Sequence, residues 1–129
     1  MEDLLVVLVV DDDPSILSIV ETALHDGGFG LAFASSGEEA VTLLKESKRK
    51  CCALVTDIDL GQGKMDGWEV AKLAREIDPA FPIIYMTAAS ADNWAANGVP
   101  SSILLPKPFA PAQLVTAVSQ LLNARPPIG

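Results

Sequence analysis

Aromatic residues and basic residues are both scarce in this sequence. Of its 129 residues, 7 are aromatic (two Trp, one Tyr and four Phe), whereas 50% are hydrophobic. Aliphatic side chains must therefore fill most of the core. The 9 bases are outnumbered by 17 acids, which gives a net charge of −8. Because such a charge repels a phosphate backbone, the composition argues against autonomous nucleic-acid binding.

Cysteine and long apolar runs are also scarce. Cys51 and Cys52 are adjacent in the chain, and together with the single His25 they cannot supply the four spaced ligands of a structural zinc site. Neighbouring cysteines rarely bridge each other, so we expect a reducing compartment. The N-terminus lacks the basic region of a signal peptide, and the apolar run Leu4–Val10 is too short to cross a membrane. These features predict a cytoplasmic protein without membrane insertion.

The length predicts one domain. A chain of 129 residues buries roughly two thirds of the surface it would expose when unfolded, which is enough for one ordinary core. We expect this domain to span residues 1–123, followed by a short C-terminal tail at 124–129, with no separate output domain. The charges are unevenly distributed along the chain. Residues 88–129 contain only one of the 17 acids and two of the 9 bases.

Short β-branched apolar runs alternate with amphipathic segments along the chain. This alternation is typical of repeated βα units around a parallel sheet. Five strands are predicted, at Leu4–Val10, Leu31–Ala34, Cys52–Thr56, Ile83–Thr87 and Ile103–Leu105. Four helices have clear starting signals, namely Asp13 with Pro14, Ser36 with Glu39, Asp66 with Glu69, and Pro111. Residues 90–97 predict only a weak fourth helix in chain order.

Polar residues follow the predicted strands at their carboxyl ends, where open α/β sheets bind ligands. The first strand ends in Asp11-Asp12-Asp13, the third in Asp57-Ile58-Asp59, the fourth in Thr87-Ala88, and the fifth runs into Lys107-Pro108. Each has an ordinary structural explanation: a solvated helix cap, a buried strand end, β propensity or a solvated charge. Their combination favours a shared site.

If the first and third strands are neighbours, Asp11, Asp12 and Asp57 share one pocket. Three carboxylates so close repel one another unless a cation compensates, and oxygen ligands favour Mg²⁺ or Mn²⁺. The metal and Lys107 together would balance the three negative charges. Magnesium held in this way is typical of phosphoryl chemistry, with Asp57 as the nucleophile and Thr87 as a hydrogen-bonding partner.

The motifs at these strand ends resemble the receiver domain of two-component response regulators. The matching residues are Val9-Val10-Asp11-Asp12-Asp13-Pro14, Asp57 followed by Met65-Asp66-Gly67, Met86-Thr87-Ala88, and Lys107-Pro108-Phe109. The resemblance covers essentially the whole chain. It implies a flavodoxin-like α/β fold of three layers, with five helices around a five-stranded parallel sheet in the order 2-1-3-4-5.

The resemblance also implies an activity and a role for each site residue. A sensor histidine kinase or a histidine phosphotransfer protein would donate a phosphoryl group to Asp57, with Mg²⁺ required. Asp12 would bind the metal directly, Asp11 through water, Asp57 through its carboxylate and Asp59 through its backbone carbonyl. Thr87 and Lys107 would contact the phosphoryl oxygens, and the Lys107-Pro108 bond would be cis. The domain would be a phosphoacceptor that assists its own phosphorylation and dephosphorylation rather than an enzyme.

Two departures from the family pattern and one interrupted strand stand out. The loop Leu60–Gly67 is two residues longer than the usual Met-Pro-Gly-Met-Asp-Gly loop, so the family geometry beside the metal does not carry over directly. Leu104 occupies the position where family members often have a switch aromatic, which puts aromatic rotation in doubt as the output signal. Pro106 interrupts the fifth strand, which is tolerable at a sheet edge.

The sequence leaves three interpretations of the function open. The favoured one is a stand-alone receiver that signals to a downstream protein through the weakly charged 88–122 face, with dimerisation possible and no direct contact with nucleic acid. On that face, Trp94 either contacts a partner or packs under its own loop. A degenerate receiver that is never phosphorylated is a second reading. The third is a small Mg²⁺-dependent phosphatase, because Asp57-Ile58-Asp59 resembles the Asp-x-Asp pair of haloacid-dehalogenase-type hydrolases.

Overall fold

Strands and helices alternate along the chain, as the apolar periodicity predicts. The computed structural model describes residues 5–46, 51–60, 65–88 and 91–124. In these residues the elements are β1 (Val6–Val10), α1 (Pro14–Asp26), β2 (Gly30–Ala34), α2 (Gly37–Lys45), β3 (Cys51–Asp57), α3 (Gly67–Ile77), β4 (Ile83–Thr87), α4 (Trp94–Asn97), β5 (Ile103–Pro106) and α5 (Pro111–Ala124). None of these helices combines the length and the apolar character that a membrane crossing requires.

The five strands form one parallel sheet in the order β2-β1-β3-β4-β5. This confirms the predicted α/β fold and its strand order. The fifth strand lies at the edge of the sheet, where Pro106 can end it without removing a hydrogen bond from an interior ladder. Between the edges, β1 and β3 lie side by side, and this pairing brings their polar carboxyl ends together.

Two apolar clusters cover the two faces of the sheet and give the fold its three layers. One face packs against α2 and α3, with the buried side chains of Leu8, Val10, Leu54, Ile83 and Tyr85. The other packs against α1 and α5, with those of Val7, Val9, Val55, Ile84 and Met86. Alternate residues of β1, β3 and β4 therefore enter opposite clusters, which explains why these strands have apolar residues on both faces.

The predicted helix caps form hydrogen bonds. The Asp13 side chain accepts from the Ser15 N–H at 2.9 Å, and the Asp66 side chain accepts from the Glu69 N–H at 3.0 Å. The Ser36 Oγ accepts from the Glu39 N–H at 3.1 Å, as expected for a capping box. The returning Glu39 carboxylate instead accepts from the N–H of the residue before the cap, Ser35, at 2.6 Å.

Some boundaries differ from those predicted. The weak helix at residues 90–97 is a 3-10 turn (Ala91–Asn93) followed by the single turn of α4. At the C-terminal end, α5 continues through Ala124, one residue into the predicted tail. Three parts of the predicted organisation lie outside the described residues: the rest of that tail, residues 61–64 of the 60–67 loop, and the predicted loop around Arg49.

Candidate functional site

Three carboxylates meet at the carboxyl ends of β1 and β3. Asp57 ends β3, and Asp11 follows β1, whose last residue pairs with Thr56. One carboxylate oxygen from each of Asp11, Asp12 and Asp57 lies within 4.8 Å of the other two. The structure thus brings together the aspartates that were predicted to share a pocket, although Asp11 and Asp57 are 46 positions apart in the chain.

The three aspartates differ in burial. Asp11 is fully buried and Asp57 is 7% exposed, whereas Asp12 is exposed. One carboxylate oxygen of Asp11 accepts a hydrogen bond from the Asp13 N–H at 2.9 Å. Asp11 is therefore fixed in position, and Asp12 is the member of the cluster that faces solvent.

Lys107 lies against the two buried carboxylates. Its Nζ is 3.0 Å from Asp11 Oδ2 and 3.5 Å from Asp57 Oδ1. Its backbone N–H donates to the Thr87 carbonyl at 2.7 Å, and the following peptide bond to Pro108 is cis, as the family resemblance implies. The ammonium group is thus closest to Asp11, an order of distances that the sequence alone could not predict.

The electrostatics of the cluster appear in the pKa values of its members. Burial, with repulsion from Asp11 as the second cause, raises the pKa of Asp57 from 3.8 to about 6, despite the opposing effect of Lys107. Burial alone would lower the pKa of Lys107. Its hydrogen bond to Asp11 and the negative charges of Asp11 and Asp57 outweigh burial and raise that pKa above its ordinary value. One cation therefore does not fully compensate the carboxylates around it.

Thr87 and Asp59 occupy the positions expected from their strands. Thr87 is buried and ends β4, one residue beyond Met86, which pairs with Asp57. The Ile58 N–H donates to the Met86 carbonyl at 3.1 Å, which fixes the two strand ends together. Asp59 is exposed, and its backbone N–H bonds to the Asp57 carboxylate. The role predicted for its carbonyl as a metal ligand stays a prediction.

The donor set fits a hard divalent cation. Asp11, Asp12 and Asp57 offer oxygen ligands, and Lys107 leaves two of their three negative charges uncompensated when all are ionised. Buried like charges are costly, so a cation of charge +2 would remove the imbalance. Oxygen ligands of this kind are those preferred by Mg²⁺ and Mn²⁺.

Gly67 is a further residue on which the site depends, although in the sequence it stands out only as part of the Met65-Asp66-Gly67 motif. It begins α3, and its N–H donates to the Ile58 carbonyl at 2.8 Å. A Cβ at this position would overlap the backbone carbonyl of Asp57. The start of α3 therefore lies directly against the end of β3, at a distance that only glycine permits.

We expect Gly67→Ala to destabilise the domain by about 1–3 kcal/mol, because the added methyl group forces α3 away from the Asp57 backbone. Urea unfolding measures this loss. Lys72→Ala, an exposed change in the same helix, serves as control and should change stability by about 0.5 kcal/mol or less. Equal stabilities of the two variants would contradict the close approach.

The family comparison matches most of the chain. The sequence profile of the response regulator receiver domain matches residues 7–119. The chain belongs to the response regulator receiver domain family. This assignment confirms the family that the strand-end motifs resemble, and it places the acidic cluster of this receiver domain within the matched region.

Curated relatives of the receiver domain are longer proteins. This chain is 34% identical over 119 residues to the alkaline phosphatase synthesis transcriptional regulatory protein PhoP of Bacillus subtilis. The alignment covers 91% of this chain and 48% of that protein. It is 36% identical over 121 residues to the transcriptional regulatory protein PrrA of Mycobacterium tuberculosis, covering 92% of this chain and 50% of that protein. The receiver domain thus spans about half the length of these relatives.

Solved structures show the same fold. A response regulator receiver protein from Sinorhizobium medicae is 49% identical, with a TM-score of 0.91, and the alignment covers 96% of this chain and 98% of that one. The chemotaxis protein CheY4 of Vibrio cholerae is 27% identical, with a TM-score of 0.80, and the alignment covers 92% of this chain and 99% of that one. Both alignments extend over nearly the whole receiver domain.

Proposed function

We propose that this receiver domain accepts a phosphoryl group on Asp57 from the phosphohistidine of a sensor histidine kinase or a histidine phosphotransfer protein. The observation that carries the proposal is the meeting of Asp57 with Asp11, Asp12 and Lys107 at one edge of the sheet. Asp57 is buried enough to have a raised pKa of about 6, yet it ionises below neutral pH and is then a nucleophile.

In the transfer step, a carboxylate oxygen of Asp57 attacks phosphorus, and a P–O bond forms. The P–N bond of the phosphohistidine breaks, and its electron pair stays on the imidazole nitrogen of the donor. Lys107 pairs with a phosphoryl oxygen, and the Thr87 hydroxyl donates a hydrogen bond to another. A divalent cation held by Asp11, Asp12, Asp57 and the Asp59 carbonyl would supply charge neutralisation at the phosphoryl oxygens.

We propose further that the output is a contact with another protein. The 88–122 face contains one acid, Asp92, and one base, Lys107, so a partner can approach it without strong repulsion from the net charge of −8. On this proposal the domain is not an enzyme toward other molecules, although it assists its own phosphorylation and dephosphorylation. It would work in the cytoplasm and signal through protein–protein contacts.

Incubation with Mg²⁺ and acetyl phosphate tests the first part of the proposal. We expect a mass gain of one phosphoryl group that is lost in alkali, as for an acyl phosphate. Asp57→Asn should abolish the gain because the amide is not a nucleophile, whereas Asp59→Asn should retain it because the Asp59 side chain is exposed. Intact-protein mass spectrometry measures all three samples.

The same experiment distinguishes the alternative readings. A wild-type protein that gains no mass would indicate a degenerate receiver. Steady hydrolysis of a generic phosphate monoester, lost in both Asp57→Asn and Asp59→Asn, would indicate a phosphatase using the Asp-x-Asp pair. Either result would contradict the proposed function.

Magnesium binding can be tested separately. Adding Mg²⁺ at about 100 times its dissociation constant should stabilise the wild-type domain by about 2.7 kcal/mol, since the ion binds the folded state. Differential scanning fluorimetry at constant ionic strength measures the shift in Tm. Asp12→Asn should weaken the response, while the exposure of Asp12 should leave metal-free stability nearly unchanged. Equal responses in both proteins would contradict the assigned ligands.

A further inference from the structure

Tyr85 is an aromatic residue between the site and the predicted partner face. It is fully buried in β4, two residues before Thr87, so the two side chains leave the strand on the same side. Its ring packs on Trp68 of α3, with ring centroids 4.7 Å apart and planes at 56°. In the sheet it pairs with Leu104, the position that lacks the usual aromatic.

The hydroxyl of Tyr85 reaches beyond the sheet. It accepts a hydrogen bond from the backbone N–H of Val99 at 3.1 Å. Burial raises the pKa of Tyr85 above its ordinary value, so the hydroxyl stays protonated at neutral pH. The connection between α4 and β5 is thus held to β4 by a buried side chain.

Hydrogen bonds join several residues of the connection from α4 to β5. We call residues 94–102 the 94–102 segment. The Ser102 hydroxyl donates to the Val99 carbonyl at 2.6 Å and accepts from the Trp94 indole N–H at 3.0 Å. The Gly98 N–H donates to the Trp94 carbonyl at 2.8 Å, and the indole lies so close to Gly98 that no Cβ would fit. Trp94 therefore packs on its own segment and still leaves 38% of its surface exposed.

We propose that Tyr85 couples the phosphorylation state of Asp57 to the 94–102 segment and thereby sets the position of Trp94 on the partner face. This inference rests on the proposed function and assigns its regulation to a residue of β4. The hydrogen bonds form one route, from Tyr85 to Val99, from Val99 to Ser102, and from Ser102 to Trp94.

The first step of this route is a displacement of Thr87. A phosphoryl group on Asp57 would draw the Thr87 hydroxyl toward it, and Thr87 ends the strand that contains Tyr85. Protein cores are close-packed, so a shift of this strand end is passed to neighbouring groups rather than absorbed by empty space. The Val99 amide follows the hydroxyl to which it is bonded. Tyr85 is therefore a positioning residue and has no contact with the transferred group.

Arg75 supplies a matched control because it holds the same segment from elsewhere. Its Nη1 donates to the Pro100 carbonyl at 2.6 Å, and its Nε donates to the Phe81 carbonyl at 2.6 Å. This anchor begins in α3 and does not pass through Thr87. Loosening the segment at Arg75 should therefore leave its response to phosphorylation in place, whereas removing the Tyr85 hydroxyl should not.

The test compares ¹⁵N–¹H spectra before and after treatment with acetyl phosphate and Mg²⁺, with intact mass measured in parallel. In the wild type, phosphorylation should displace the Val99 amide and Trp94 indole resonances. Tyr85→Phe should gain the same mass but lose most of both displacements, and Arg75→Met should keep them. Full displacement in phosphorylated Tyr85→Phe, or none in the phosphorylated wild type, would overturn the inference.

Ser102→Ala keeps the test decisive if Tyr85→Phe fails to fold. This variant breaks the route after Val99, so the Val99 amide should still respond while the Trp94 indole does not. A Trp94 response equal to that of the wild type would overturn the proposal. Absence of a mass gain in the wild type is a different failure, since it contradicts the proposed phosphorylation of Asp57 itself.

Discussion

Lys107→Met should lower the free energy of unfolding of the metal-free domain by about 3–5 kcal/mol, because it leaves buried carboxylates without their cation. Asp11 is fully buried, and its Oδ2 accepts from Lys107 at 3.0 Å. Methionine keeps much of the apolar stem of lysine, so the loss measures charge rather than packing. Urea unfolding in the presence of a chelator gives the value.

Two further measurements identify the cause of this loss. Lys107→Arg retains the positive charge and should lose much less stability than Lys107→Met. Lowering the pH from 7 to 5 should reduce the deficit of Lys107→Met, since Asp57, whose pKa is raised to about 6, takes up a proton and no longer repels Asp11. A deficit that is the same at both pH values would contradict the electrostatic explanation and would indicate a packing defect.

The sequence predicted the arrangement of the sheet and the meeting of its polar ends for a physical reason. Apolar runs before Asp11 and Asp57 had to be buried strands, and parallel strands bring their carboxyl ends to one edge. The order of the strands came from the family resemblance rather than from periodicity. Thr87 and Lys107 could be assigned in the same way, because Thr87 ends one predicted strand and Lys107 comes just after another.

Other features of the site depend on distances that no residue pattern encodes. The closer contact of Lys107 with Asp11 than with Asp57 follows from the path of the chain after β5. Tyr85 looked like one more residue of a buried strand, and its hydroxyl contact with Val99 exists only in the folded chain. A tyrosine among aliphatic residues was a signal, since a buried hydroxyl requires a hydrogen-bond partner.

The α4 region shows why weak periodicity predicts boundaries poorly. The sequence between β4 and β5 is rich in small residues, so no strong apolar stripe specifies a long helix. Its order instead comes from contacts of single side chains, notably Trp94 with Ser102 and Gly98. Trp94 packs on its own segment, as one of the two interpretations predicts, and it remains partly exposed. Its contact with a partner stays a prediction.

Asp57→Asn should stabilise the metal-free domain, and the gain should depend on pH. The pKa of Asp57 is about 6 in the folded domain against an ordinary value of 3.8. Between these values the unfolded chain has lost the Asp57 proton while the folded domain retains it, so stability falls as the pH rises. Above about pH 6 Asp57 is ionised in both the folded and the unfolded state. The loss in the unfolding free energy of the wild type is then on the order of 3 kcal/mol.

Asparagine does not titrate, so the difference in unfolding free energy between Asp57→Asn and the wild type isolates this group from the other acids. It should grow between about pH 4 and pH 6 and then become constant, as measured by urea unfolding at half-unit intervals. Mg²⁺ should reduce this difference in unfolding free energy at pH 7, since the cation offsets the repulsion between the wild-type carboxylates. A difference that is flat across pH 4–7 would mean that Asp57 ionises normally, and the charge imbalance that motivates a metal at this site would then be absent.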